Sequence, residues 1–426
     1  MSPDASGSTA HPIRAYFVGL GITILLLIGA VVTYAAIRHT STTLASDQLQ
    51  QQLAPFYVPP AGWQAQPPGA LLRSEPVGGI PAGGVGWRIL YVTAAADGTK
   101  RVSSGMVFAP GRSGPAAPPE GRKVIAWAHP TVGMGVACAP SRTSKVTSDV
   151  PGLSSFLAAG WVVAATDYAG LGTAGTEQYL IGAAEGHDVL YSVLAARHIA
   201  DAHAGTTVGI FGHSQGGHAA LFAASMASTV PELHVVGTVS AAPAAELAPL
   251  ISHQWNTIYG SLIGSEVLIS YPATYPGLHL SSVTSSSSDQ VATLANKCVL
   301  PAALDIVVSK ALGGSPLLSR DPLGLAAWGA ALRANTPPVP PVPTLLVQGT
   351  ADPIVLPGSN ALYIGRACAA ASPITGDFIG TLGHMKAGFA AAPGAFTFFQ
   401  LIFQGRSPTS TCGTTIPVAP LRAPGA

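Results

Sequence analysis

The chain has 426 residues, of which 48% are hydrophobic and only 9% charged, against an ordinary charged share of about 25%; a disordered, charge-stabilised polypeptide is excluded. Twenty basic and 19 acidic side chains leave a formal charge of +1 with no basic run, so a nucleic-acid partner has no support. The 49 glycines and 37 prolines follow no period, which excludes a collagen-like helix and indicates many tight turns.

Residues 1–14 read as a short tail. Residues 15–37 hold no ionisable side chain except Tyr16 and Tyr34. As a helix rising about 1.5 Å per residue they span roughly 34 Å, enough to cross a bilayer core of about 30 Å. The reading is a signal-anchor helix that holds the rest of the chain outside the cytoplasm. The competing reading is a cleaved signal peptide, in which case the protein is secreted. Arg14 and Arg38 flank the segment evenly and do not orient it. Residues 38–53 are rich in Ser, Thr and Gln and read as a linker.

Phe56 to Gly86 carries many prolines and glycines and is expected to wrap the surface without regular structure. Trp87 to Thr93 and Val102 to Ala109 then read as a strand pair joined across Asp97-Gly98. Beyond them apolar strands alternate with helices: strands Val124 to His129, Trp161 to Asp167, Thr207 to Phe211, Leu233 to Val239, Thr344 to Gln348 and Asp377 to Thr381, and helices Glu185 to His203 and Gln215 to Met226. Strands joined by helical crossovers imply an α/β fold, a mainly parallel central sheet with helices on both faces. Core residues 54–243 and 342–412 flank an insert, 244–341, that reads as a helical cap containing Leu300 to Leu312 and Pro322 to Arg333. Residues 413–426 read as a flexible tail. Cys138, Cys298, Cys368 and Cys412 form no C-x-x-C pair, so a zinc ribbon is not indicated and two disulfides are, with three connectivities open; free buried cysteines are the alternative.

Gly212-His213-Ser214-Gln215-Gly216 matches G-x-S-x-G, a strand-turn-helix elbow that presents a serine above a parallel sheet. The motif alone is weak in a chain so rich in glycine. Its context is stronger: Val208 to Phe211 is an apolar strand, and the stretch after Ser214 is rich in alanine and free of proline. A nucleophilic serine needs a base, and the base needs a group that fixes its tautomer. Asp352 lies in the loop after strand Thr344 to Gln348, where the acid belongs. His384 follows the last strand, with Gly383 expected to permit close approach. Asp377 is a weaker acid candidate because it precedes a strand, and Asp167 lies before Ser214 and breaks the order Ser, acid, His. An oxyanion site needs two donors. Gln215 supplies one as the residue after the nucleophile. Pro130 has no N–H, so Thr131 is the second candidate, through its N–H with its hydroxyl as help.

These residues together resemble the secretory lipase family, α/β-hydrolases that include the yeast lipase A type. The resemblance runs from about Phe56 to Cys412. It includes Phe56-Tyr57-Val58-Pro59-Pro60, the stretch Ala128 to Gly133, Cys138-Ala139-Pro140-Ser141, Asp167 to Gly172, the elbow, Ser240-Ala241-Ala242-Pro243, and the Asp352 and His384 loops. It implies an α/β-hydrolase fold with a helical lid after the strand that follows the elbow, a Ser214-Asp352-His384 triad, and disulfides Cys138–Cys298 and Cys368–Cys412. Pro130 departs from the glycine that members carry, and the amino-terminal anchor departs from their cleaved signal. The implied activity is hydrolysis of acylglycerols or related esters, with no metal or organic cofactor and with a lipid or small-ester substrate. Two alternatives stay open: an acyltransferase using the same triad, and a membrane-anchored hydrolase-fold protein that binds without catalysis. Oligomeric state is not legible.

Overall fold

The computed structural model describes residues 45–81 and 83–422. Residues 1–14 and the expected anchor 15–37 lie outside them. Among the described residues no helix is long and apolar enough to cross a membrane. The chain divides at Ala54. On the amino-terminal side, residues 45–53 form helix α1, where a linker was expected; Leu and Gln outweigh Ser and Asp there, and both are good helix formers.

From Pro55 onward a nine-stranded sheet runs in the order β1-β2-β3-β5-β4-β6-β7-β8-β9. The strands are β1 (Leu71–Val77), β2 (Gly84–Ala94), β3 (Lys100–Pro110), β4 (Arg122–Ala128), β5 (Val162–Thr166), β6 (Ala204–His213), β7 (His234–Ala241), β8 (Thr344–Gly349) and β9 (Ile374–Ile379). β1, β2, β3 and β5 pair antiparallel, and every pair from β5 across to β9 is parallel. The expected mixed, mainly parallel sheet is therefore present. β1 was not anticipated, since the prolines and glycines of Phe56 to Gly86 were expected to leave no regular structure; β1 pairs only with β2, and an edge strand tolerates Pro76, which donates no ladder bond. β9 begins three residues earlier than expected, which places Asp377 inside the strand and exposed, not ahead of it.

The helices follow the crossovers. α2 (Leu153–Ala158), α3 (Gly182–Ala196) and α4 (Gln215–Ser225) belong to the first part of the core. α5 (Leu247–Gln254), α6 (Ile258–Thr274), α7 (Ser288–Ala295), α8 (Val299–Ala311) and α9 (Ala326–Ala334) all fall between β7 and β8, and α10 (Pro357–Ala369) and α11 (Ala387–Phe403) complete the fold. One sheet face packs Val189, Leu190 and Val193 of α3 and Ala219, Ala220 and Ala223 of α4; the other packs Phe156 of α2 with Ala395, Phe398 and Phe399 of α11. A separate apolar cluster holds the β7–β8 insert together through Leu247, Leu268, Tyr271, Trp328 and Leu332, and joins it to Tyr179, Leu180 and Ile181 beside α3.

Both disulfides form, Cys138–Cys298 and Cys368–Cys412. The first ties the loop after β4 to the start of α8. Backbone bonds run beside it, from Met134 N–H to Ala295 O at 2.9 Å and from Val299 N–H to Val132 O at 2.9 Å. The stretch after Cys412 is less free than a flexible tail. Leu421 N–H donates to Gly358 O at 2.8 Å, and Ile416 packs against the cluster containing Tyr363 and Ile364.

Candidate active site

Ser214 stands between the end of β6 and the first residue of α4 with φ 57° and ψ −117°, a backbone that an L-residue adopts only under constraint. The two flanking glycines supply that constraint. A Cβ on Gly212 would lie 1.9 Å from Gly216 O, and one on Gly216 would lie 1.9 Å from Ala128 O. No side chain fits at either place, so strand, turn and helix approach closely enough to lift Ser214 above the carboxyl edge of the sheet.

The loops after β8 and β9 bring two further groups to the same edge. Ser214 Oγ lies 2.9 Å from His384 Nε2, and His384 Nδ1 lies 2.7 Å from Asp352 Oδ2. All three side chains are buried. Asp352 cannot turn freely, because its Oδ1 accepts the backbone N–H groups of Ile354 and Val355, each at 2.9 Å, and Gln348 Nε2 donates to Oδ2 at 3.3 Å. Both ring bonds are used when Nδ1 donates to the carboxylate, leaving the Nε2 lone pair facing the Ser214 hydroxyl. His213 supports the loop from behind: its Nε2 donates to His384 O at 3.1 Å. Burial, reinforced by the neighbouring His384 ring, pushes the His213 imidazole down to about 3, so it stays neutral in that role.

Gly383 does not have the expected role. Its φ is −92°, and a Cβ there would meet only Ala351 O at 3.9 Å, so the approach of His384 does not require glycine. Asp377 takes no part in the cluster. Asp167 is held elsewhere: its carboxylate accepts from Ser104 Oγ at 2.6 Å, from Ser141 N–H at 3.0 Å and from the Ser141 hydroxyl.

Thr131 lines a chamber together with Pro130, Ser214, His384, Met385 and Phe389. Its hydroxyl and that of Tyr179 share a hydrogen bond of 2.8 Å. A second, narrow cavity runs from Ser214 and Gln215 between α5, α6 and α9, along Leu247, Ile263, Val267, Trp328 and Leu332. Its walls are almost wholly apolar. Such a cavity takes a flexible hydrocarbon chain with little polar cost.

Sequence reasoning missed a set of buried polar groups behind the elbow. Gln215 Nε2 donates to Glu177 Oε1 and to Glu185 Oε1, both at 2.9 Å. Glu185 Oε2 pairs with His218 Nδ1 at 2.8 Å, and His218 Nε2 donates to Asn335 O, also at 2.8 Å. One signal was available: Glu185 and Asp188 sit within a mostly apolar helix of a charge-poor chain, where a buried acidic side chain requires partners.

A profile of the family described as "Secretory lipase" matches residues 137–411, more than half of the chain. A Mycobacterium tuberculosis (strain CDC 1551 / Oshkosh) protein named as a probable inactive lipase is 28% identical over 244 residues, 53% of this chain and 52% of its own. The chain thus spans about half the length of that relative. Among solved structures, the lipase A of Candida antarctica in its closed state aligns over 86% of this chain and 89% of its own with a TM-score of 0.70 at 19% identity. The rice cell wall degrading esterase LipA of Xanthomonas oryzae aligns over 80% of this chain and all of its own with a TM-score of 0.67 at 20% identity. At those identities the two structures establish a shared α/β-hydrolase fold. With the family profile covering the elbow and both acid and histidine loops, the chain belongs to the secretory lipase family, one of lipase- and esterase-type hydrolases.

Proposed function

We propose that the protein hydrolyses carboxylic esters with apolar acyl chains, acylglycerols or related lipid esters, through a Ser214-His384-Asp352 triad. The observation that carries the reading is the unbroken pair of hydrogen bonds from Ser214 Oγ through the His384 ring to Asp352, at the mouth of an apolar cavity. Ser214 Oγ attacks the ester carbonyl carbon while its proton passes to His384 Nε2. Asp352 holds the imidazolium that results. The carbonyl electron pair moves to oxygen, and the backbone N–H of Gln215 and the N–H or hydroxyl of Thr131 receive the oxyanion. Collapse of the tetrahedral adduct breaks the bond to the alcohol, which leaves with the proton from His384. Water, deprotonated by the same ring, then frees the acid. The acyl chain occupies the cavity between α5, α6 and α9, and the alcohol half leaves through the chamber that Met385 and Phe389 line. Residues 244–341 act as a cap over the nucleophile, and residues 15–37 as an anchor that keeps the enzyme at a membrane surface outside the cytoplasm.

The name of the M. tuberculosis relative favours a second reading, a hydrolase-fold protein that binds lipid without turnover. Fluorophosphonate labelling separates the two. The wild type should be labelled stoichiometrically and Ser214→Ala not at all, and a p-nitrophenyl ester series should show turnover that prefers longer acyl chains. Labelling that persists in the alanine variant, or a labelled wild type that never turns over, refutes the hydrolase reading.

A further inference from the structure

Glu177 is 3% exposed, sits in the loop before α3, and takes no direct part in the chemistry proposed above. Its Oε1 and that of Glu185 both lie 2.9 Å from one nitrogen, Gln215 Nε2. Two carboxyls gripping one amide in a dry interior cannot both be ionised without a nearby cation. Glu185 has its compensation. Because Asn335 O can only accept, His218 Nε2 carries a proton, and the single proton between His218 Nδ1 and Glu185 Oε2 leaves that pair with zero net charge in either arrangement. Glu177 has no such partner: among the described residues it forms no ion pair.

The groups that face Glu177 reinforce this. Glu185 and Asp188 approach from α3, Glu266 from α6, and Tyr168 and Tyr179 from the flanking loops. Among the described residues the cation that acts most on it is Arg101 on β3, and its Nη2 is spent on Thr176 O at 2.7 Å. Burial pushes the Glu177 carboxyl up to about 8, with the Gln215 amide working against the shift and the acidic neighbours adding to it.

We propose that Glu177 is a positioning residue for the oxyanion donor. With Glu185 it clamps the Gln215 side chain and so fixes the backbone N–H of the same residue, and turnover requires its carboxyl to be neutral. The inference rests on the hydrolase reading above. Ionising Glu177 acts in two ways. It sets a negative charge behind the site where the ester oxygen becomes negative, which opposes the developing charge in a low-dielectric pocket. It also sets two carboxylates against each other across one amide, which loosens the clamp. Both effects fall on kcat, since the ground-state ester carries no charge for them to act on.

The test compares wild type, E177Q and E177A on p-nitrophenyl butyrate from pH 6 to 9.5. Active enzyme is counted by fluorophosphonate titration at pH 7, and spontaneous hydrolysis is subtracted. The wild-type kcat should bend downward near pH 8 and fall about tenfold per unit above it, with KM little changed. Gln at position 177 keeps an acceptor for Gln215 and cannot ionise, so E177Q should run flat to pH 9.5. E177A should lose about tenfold in kcat at every pH, and E177Q should recover most of that loss. A wild type without the alkaline bend, or an E177Q variant that keeps it, overturns the proposal. If wild type neither labels nor turns over, both this inference and the hydrolase reading fail; labelled protein with an unmoved bend sinks the inference alone.

Discussion

Replacing Asp352 by asparagine isolates the tautomer argument, because the structure dictates how the amide must sit. If Nδ2 takes the place of Oδ1, it faces the N–H groups of Ile354 and Val355, each 2.9 Å from that oxygen. Two buried donors then lose their acceptor, at about 1–3 kcal/mol each. If Nδ2 takes the place of Oδ2, it faces His384 Nδ1 at 2.7 Å and the longer contact with Gln348 Nε2 at 3.3 Å. Gln348 has other acceptors, Gly349 O at 2.9 Å and Val355 O at 3.2 Å, and the histidine can move its proton. The second placement therefore wins by about the cost of the two donors that the first would orphan. It forces Nδ1 to accept, so Nε2 carries the hydrogen and presents a donor to Ser214 Oγ. A ring in that state is no base. Wrong-tautomer triads lose about 10⁴-fold in kcat, about 5 kcal/mol of barrier, with little loss of folding stability. The assay is kcat and KM on p-nitrophenyl butyrate at pH 7, beside a thermal melt and the exposed control Asp377→Asn. Activity of the Asp352 variant within tenfold of wild type, with the melt unchanged, refutes the reasoning; so does an equal loss in the control.

Gly216→Ala should abolish turnover by at least 100-fold and lower soluble yield, because the new methyl would sit 1.9 Å from a backbone oxygen that has nowhere to go; Gly383→Ala, whose methyl meets nothing closer than 3.9 Å, should stay within about threefold, and kinetics on both variants check the contrast. The Cys138–Cys298 bridge closes 160 residues and Cys368–Cys412 closes 44, so chain entropy assigns about 5 kcal/mol to the first and about 4 to the second; thermal melts of the two double-alanine variants should rank in that order, the first also losing activity through the loop that carries Thr131. Stability should fall as pH rises from 5 to 8.5. Glu177 and Asp188, raised by burial to about 8 and about 7, keep protons that the unfolded chain releases near pH 4, so their contribution is whole below that value and lost as pH climbs to the folded values. His213, lowered to about 3, and His187, also lowered by burial, oppose them below pH 6.5, but burial raises Glu246 and Glu266 as well, so the acids outnumber the histidines. Melts across pH with Glu177→Gln beside wild type check this, the variant showing the shallower decline.

The elbow was legible because its requirements are local. Gly212 and Gly216 sit two positions either side of a serine between an apolar strand and an alanine-rich helix, and no long-range fact is needed to read them. The acid and histidine were legible through topology: parallel strands place their following loops on one edge, so Asp352 and His384 were fixed once their strands were. β9 was misplaced by three residues, which left the placing of His384 unchanged, because that residue lies in the loop after the strand. β1 was hidden by the prolines and glycines around it; what a proline such as Pro76 costs depends on whether its strand lies at an edge, a property of the sheet and not of the segment. The choice of Gly383 failed for a related reason: whether a neighbour crowds a glycine depends on loops far away in sequence.

The polar cluster behind Gln215 shows where such reading stops and why. Glu177 lies 38 residues before Gln215 and Glu185 lies 30 before it, while Asn335 reaches His218 from 117 residues beyond. No periodicity links them. What the sequence does hold is scarcity: with 19 acidic side chains in 426 residues, each buried acid in an apolar element has to be neutralised by another group or by a proton. Glu185 found a histidine and Asp352 found another. Glu177 found only an amide, and a carboxyl in that position stays in the core by keeping its proton. The proton that keeps it there is then held against the one residue whose backbone the proposed reaction needs in place, so folding and turnover respond to the same alkaline titration.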